Sequence, residues 1–147
     1  MQEWTLLVYR LPRNPSTPRI ALWRRLRRLG ALQLLDGVAA LPLTPETREQ
    51  LEWLADEVEE AGGTATVWLA RPGTAAEDRA LQARMRDAAD EDYARVTIAA
   101  QGKTDGRTIG RLRRALRAIR GRDYFDAPGR ADAERAVAEL ARDEVPA

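Results

Sequence analysis

The sequence predicts an α+β fold, a ferredoxin-like βαββαβ antiparallel sheet followed by an all-helical C-terminal region. Three observations predict it. Short runs rich in β-branched and aromatic residues occur at 4–11, 31–43 and 64–69, and none is read as a strand after Gly73. Two threonine-proline pairs, Thr17-Pro18 and Thr44-Pro45, sit where helices would begin. Asp36-Gly37 splits the middle apolar run as a hairpin turn does.

The elements follow in order. Trp4 to Leu11 reads as a buried strand closed by Pro12, and Arg13 to Thr17 as a polar loop. Thr17 caps a helix with Pro18 at its first position, and the helix runs to Leu29 before Gly30. Ala31 to Leu43 supplies strands two and three. Thr44 caps a second helix whose Leu51, Leu54, Val58 and Ala61 recur at three-to-four spacing before Gly62-Gly63. Thr64 to Leu69 is the fourth strand. Thr74 and Glu77 form a capping box for a long helix reaching Ala99 or Ala100, with Val96, Thr97 and Ile98 weakening its end. A polar break at 101–106 precedes a helix over 107–120, and Pro128 starts a last one ending near Arg142. Residues 1–73 are thus an α+β core and 74–147 a helical region expected to pack on it as one domain.

Composition narrows the chemistry. The chain has 147 residues, 44% apolar and 32% charged, which suits a globular protein. No apolar run approaches the ~20 residues of a membrane span, and Met1-Gln2-Glu3-Trp4 does not resemble a secretory leader. A cytoplasmic location without membrane association is the expectation. The lack of cysteine and histidine excludes disulfides, thiol nucleophiles, Cys/His zinc sites and histidine general bases. No catalytic residue, cofactor or metal is assigned.

Net charge is only +1, yet the charges are segregated, and Lys103 is the sole lysine among 24 basic residues. On the first helix Leu22, Trp23, Leu26 and Leu29 share a face, with Arg24, Arg27 and Arg28 opposite and Arg25 at the margin. On the 107–120 helix Ile109, Leu112, Leu116 and Ile119 form the apolar stripe, while Arg107, Arg111, Arg113, Arg114, Arg117 and Arg120 take the rest. Neither helix contains an acid. The second helix is the reverse, carrying Glu46, Glu49, Glu52, Asp56, Glu57, Glu59 and Glu60 against Arg48 alone. Two readings stay open: the basic helices pair with these acids and with Asp87, Asp90, Glu91 and Asp92, or they form a phosphate-binding surface.

Other candidates have plainer readings. Trp4, Trp23 and Trp68 are expected in the core and Trp53 at the surface, although four tryptophans also suggest a stacking platform for single-stranded nucleic acid. The run Asp87, Asp90, Glu91 and Asp92 is read as solvated rather than as a magnesium site. Tyr124 and Phe125 look like an anchor for the last helix. Gly102-Lys103-Thr104 lacks the glycine framework of a phosphate loop and is set aside.

Leu7-Val8-Tyr9-Arg10-Leu11-Pro12, the segment 18–31 (Pro-Arg-Ile-Ala-Leu-Trp-Arg-Arg-Leu-Arg-Arg-Leu-Gly-Ala), and Arg122-Asp123-Tyr124-Phe125 before Ala127-Pro128 resemble the N-terminal domain of the ChrB family of chromate-resistance regulators. The resemblance spans nearly the whole chain. It implies a fold similar to the small nuclease of CRISPR adaptation and to the PaaX repressor domain. It further implies transcriptional control of chromate-efflux genes, operator binding on double-stranded DNA, and a homodimer. Arg19, Arg24, Arg25, Arg27 and Arg28 inherit the DNA-binding role from the matched segment, whereas Arg107 to Arg120 rest on charge alone. Longer family members carry a further C-terminal domain, so chromate sensing is not assigned to these residues. Without cysteine, an oxyanion effector would be bound by arginine rather than reduced by a thiol. The CRISPR nuclease has an aspartate at the end of its first strand, where Tyr9-Arg10-Leu11-Pro12 stands here, which argues against metal-dependent cleavage. The leading expectation is a non-enzymatic DNA-binding regulator. A non-catalytic interaction or dimerisation module is the alternative, and a nuclease is the third class.

Overall fold

Nine elements follow one another in the computed structural model, which describes residues 1–102 and 105–144. They are β1 (Trp4–Arg10), α1 (Thr17–Leu29), β2 (Leu32–Leu35), β3 (Val38–Pro42), α2 (Pro45–Glu60), β4 (Thr64–Ala70), α3 (Ala75–Ala99), α4 (Gly106–Gly121) and α5 (Arg130–Glu144). The four strands form one sheet in the order β2-β3-β1-β4, with every neighbouring pair antiparallel. This is the ferredoxin-like arrangement expected from the sequence, with the helical region after it. The chain divides into two compact units, Met1–Leu81 and Gln82–Ala147.

In the first unit β1 is central. Leu7 faces Ala39 on β3 and Val67 on β4, and Leu6 faces Ala40 and Trp68, so the two sets lie on opposite faces. The face carrying Thr5, Leu7 and Leu11 is covered by helices: Leu11, Leu22 and Val58 line one crevice between α1 and α2. Leu51 and Leu54 of α2 and Leu7 and Leu41 of the sheet are fully buried. Each such side chain contributes about 1.5–3 kcal/mol relative to exposure. On the other face Trp4 is 1% exposed, and its indole N–H donates to Asp78 Oδ1 of α3 at 2.9 Å. The backbone N–H of Gln2 donates to the other oxygen of that carboxylate at 3.2 Å.

Local chemistry explains the boundaries. Gly30 ends α1 in the left-handed region at φ 77°, its N–H donating to the Arg27 carbonyl. Gly37 makes the β2–β3 turn at φ 79°, and its carbonyl accepts from the Tyr9 N–H at 2.8 Å. A Cβ at Gly37 would meet the Tyr9 carbonyl oxygen, so both backbone angle and space favour glycine. Thr44 caps α2 as expected, accepting from Thr47 N–H at 3.0 Å while Thr47 Oγ1 accepts from Thr44 N–H at 2.9 Å. At α1 the expected cap is displaced by one residue. Ser16 is the N-cap and makes no side-chain capping bond, with Thr17 already helical. At α3, Thr74 Oγ1 accepts from Glu77 N–H at 3.1 Å.

The second unit is a helical cluster around Tyr93, Val96, Leu112, Leu116, Ile119, Ala133 and Val137. Tyr93 is fully buried, and its hydroxyl donates to Asp123 Oδ2 at 2.9 Å. Burial first, and then this hydrogen bond, push the Tyr93 phenol well above its ordinary range. Asp123 Oδ1 accepts from Ala127 N–H at 2.9 Å, and Asp90 accepts from Gly129 N–H at 2.6 Å. Val96 is buried and Thr97 Oγ1 donates to the Tyr93 carbonyl, so the β-branched run that weakens α3 by propensity is held by packing. Tyr124 and Phe125 are partly buried in the same unit. Lys103 and Thr104, the core of the rejected phosphate-loop reading, lie outside the described residues.

Replacing Asp78 by alanine leaves the Trp4 indole and the Gln2 amide without this acceptor. We expect a loss of about 1–3 kcal/mol, seen as a lower urea midpoint for the unit that contains β1. An unchanged midpoint would show that the bond does not hold α3 to β1.

Candidate nucleic-acid interface

Eleven arginines stand out on the acid-free helices, and the structure displays ten of them to solvent. Arg19, Arg24, Arg27 and Arg28 on α1 are exposed, as are Arg107, Arg111, Arg113, Arg114, Arg117 and Arg120 on α4. Arg25, at the margin of the apolar face, is half-buried and ion-paired with Glu57 of α2. Arg120 lies 3.9 Å from Glu134 of α5. The other nine form no ion pair with any described residue.

Apart from Glu57, the acids of α2 and α3 form no ion pair with these arginines among the described residues. All seven acids of α2 are exposed, and besides Glu57 only Glu52 is paired among the described residues, with Arg48 one turn away. On α3, Asp92 is held between Arg95 and Arg122, and Asp90 accepts from the Gly129 amide. Among the described residues, Arg25 is the one of these eleven paired with an acid that the sequence pointed to, whereas Arg120 pairs with Glu134 of α5.

Helix geometry groups the exposed guanidinium groups. Arg24 stands one turn from both Arg27 and Arg28 on α1. On α4, Arg107, Arg111 and Arg114 form one stripe and Arg113, Arg117 and Arg120 a second, while Ile109, Leu112, Leu116 and Ile119 are buried. The α1 and α4 sets belong to separate units. Asp105 caps α4, its carboxylate accepting from Thr108 N–H at 2.8 Å. That bond is the main reason its pKa falls below the ordinary 3.8.

The structure adds residues that the helix patterns did not show. Arg10 at the end of β1 and Arg13 in the following loop join Arg19 around a groove of about 830 Å³. Tyr9, Ile20, Trp23 and Asp36 also line it. Two tryptophan expectations are corrected here. Trp4 is buried, but Trp23 is 54% exposed and Trp68 57%, beside the expected surface residue Trp53 at 56%. Only Leu22 and Leu26 of α1 are buried, so Trp23, rotated about 100° from Leu22, falls outside the covered strip. Trp68 lies on the edge strand β4, on the face opposite to that of Leu7 and Val67. Arg27 stacks over the Trp23 ring, 5.0 Å from its centroid.

Fold and site together define an arginine-faced ferredoxin-like domain with helices appended. The comparisons with known proteins then identify its family. A family profile described as "Protein ChrB, N-terminal" matches residues 19–105. Protein ChrB of Cupriavidus metallidurans is 34% identical over 141 residues, which is 89% of this chain and 43% of that protein. The chain belongs to the ChrB N-terminal family, and it spans less than half the length of this curated relative. An uncharacterised protein from Mycobacterium tuberculosis shares the fold, with a TM-score of 0.57 and 19% identity over 98% of this chain and 62% of that one.

The cap of α4 gives a pH-dependent prediction. Asp105 has a depressed pKa in the folded chain, so its contribution is complete above 3.8 and is lost as pH falls through the lower folded value. Amide protection at Thr108 and Ile109 is expected to drop over that acid range in the native chain. Asp105→Asn should remove that pH dependence, and an identical profile in both chains would rule the cap out as its source.

Proposed function

We propose that this chain is a non-catalytic, DNA-binding transcriptional regulator linked to chromate resistance, acting in the cytoplasm as a homodimer. Its arginine faces bind the phosphates of double-stranded DNA. The observation that carries the reading is the set of nine exposed arginines on acid-free helices that pair with no described acid. Exposed ion pairs are worth only about 0–1 kcal/mol, so leaving these groups unpaired costs the fold little. Each phosphate they neutralise releases counterions, which makes binding strong at low salt and steeply salt-dependent. Membership of the ChrB family supports the link to chromate resistance. An oxyanion effector belongs to the same proposal, and guanidinium groups would be its ligands because no cysteine is present.

One observation favours the alternative of an interaction module. The outer edge of β4 is unpaired within the sheet, and Trp68 and Leu69 on that strand are exposed. Such an edge is a pairing surface for another chain. Light scattering without nucleic acid separates the two: assemblies larger than a dimer that persist at high salt and are lost in Trp68→Ser would favour the interaction module.

Two double variants test the regulator reading by fluorescence anisotropy on DNA from upstream of the gene and on a scrambled duplex. Arg24→Glu with Arg28→Glu, and Arg114→Glu with Arg117→Glu, should each weaken binding at least about tenfold at low salt. Each should also flatten the salt dependence by about one unit for every phosphate that the variant no longer neutralises. Unchanged affinity in both would sink the proposal.

A further inference from the structure

We infer that the groove between the end of β1, the loop to α1 and the β2–β3 turn is a receptor for an unpaired nucleotide of a nucleic-acid strand. Its phosphate is held by Arg10, Arg13 and Arg19, and its base lies on Trp23 and Ile20. The inference rests on the nucleic-acid reading above and goes beyond phosphate binding along a duplex.

Charge and shape support it together. The groove is lined by three arginines and a single acid, Asp36, so it favours an anion. None of Arg10, Arg13 and Arg19 forms an ion pair with a described residue. Beside them, Ile20 and Trp23 are two large apolar side chains three residues apart on α1, 47% and 54% exposed. A bare oxyanion would use the guanidinium groups and leave this shelf uncovered. The volume of about 830 Å³ lies within the range of clefts that take ligands of nucleotide size or larger.

The polar details agree. The Tyr9 hydroxyl accepts from Gln33 Nε2 at 3.0 Å, and both residues line the groove. Arg27 stacks on Trp23 and is not among the residues that line the groove. Stacking on an indole needs a base whose face is free, and bases inside a duplex are already covered by their neighbours. An unpaired nucleotide therefore fits this groove and a base inside a duplex does not. By contrast, Trp53 shares its depression with Arg48 and the two acids Glu49 and Glu52, a net negative surround that repels phosphate. Trp68 stands on the edge strand, its indole N–H donating to Thr66 Oγ1 at 2.8 Å.

The test uses the full chain and three probes: a labelled blunt duplex, the same duplex with a thymidine overhang, and thymidine monophosphate as competitor. Wild type should bind the overhang duplex more tightly than the blunt one. Trp23→Leu should weaken overhang binding at least about fivefold while leaving blunt-duplex binding within about twofold. Arg13→Ser should reduce the overhang preference as well. Both side chains are exposed, and circular dichroism checks that the variants fold. Equal wild-type affinity for blunt and overhang duplexes, or an overhang preference that survives Trp23→Leu, overturns the inference and leaves the duplex-binding proposal standing. Overhang binding that needs Trp23 without any blunt-duplex binding supports the groove and defeats the operator reading. Competition by the mononucleotide at the affinity of the overhang would reassign the site to a free nucleotide and overturn the strand assignment.

Discussion

Strand β1 carries the constraint on which the first unit depends. It is hydrogen-bonded along both edges, to β3 and to β4, with one face under the helices and the other covered at Trp4. Its residues must satisfy two ladders and two packing layers at once. Leu7 does so beneath the helices, and Trp4 does so beneath the start of α3 because its indole N–H finds the Asp78 carboxylate. A polar atom buried without that acceptor would cost more than the bond itself contributes. Where β1 ends, cover ends too, and Tyr9, Arg10 and the loop to Arg13 open into the groove. The same strand thus anchors the core at one end and supplies a cationic rim at the other.

Charge segregation is the second organising feature. A helix that buries one stripe and leaves the remainder in water has no structural need for a single sign of charge on the wet face. α1 and α4 nevertheless carry arginine and no acid, and α2 carries seven acids, yet among the described residues α1 joins α2 through the single ion pair of Arg25 and Glu57. In the second unit Asp90 and Asp92 of α3 serve the loop before α5 and the arginines Arg95 and Arg122. These two aspartates are employed in local structure, and nine arginines of the basic faces pair with no described acid.

Much of the architecture was legible in the sequence because its signals are local. Thr44-Pro45 fixes a helix start through a side-chain bond three residues away, and Asp36-Gly37 fixes a turn through backbone freedom at Gly37. The one-residue displacement of the α1 cap shows the limit of such signals: Ser16 and Thr17 are both residue types that cap helices, and the helix begins directly after Ser16. The arginine faces were legible for the same reason, since helical spacing alone separates Arg24 and Arg28 from Leu22 and Leu26. Arg10 and Arg13 were not, because a strand end and a loop have no periodicity to say which way they project.

By itself, the sequence determined the order of elements, the absence of cysteine and histidine chemistry, and the two arginine faces, because each depends on composition or on residues within a turn or two of one another. Only the tertiary structure decided which acids are spent on partners, that Arg10, Arg13 and Arg19 surround one groove, and that Trp23 and Trp68 stand in water. Exposure of a large apolar side chain depends on what is packed beside it. In α1 the cover stops at Leu22 and Leu26, and in β4 the sheet stops at its edge.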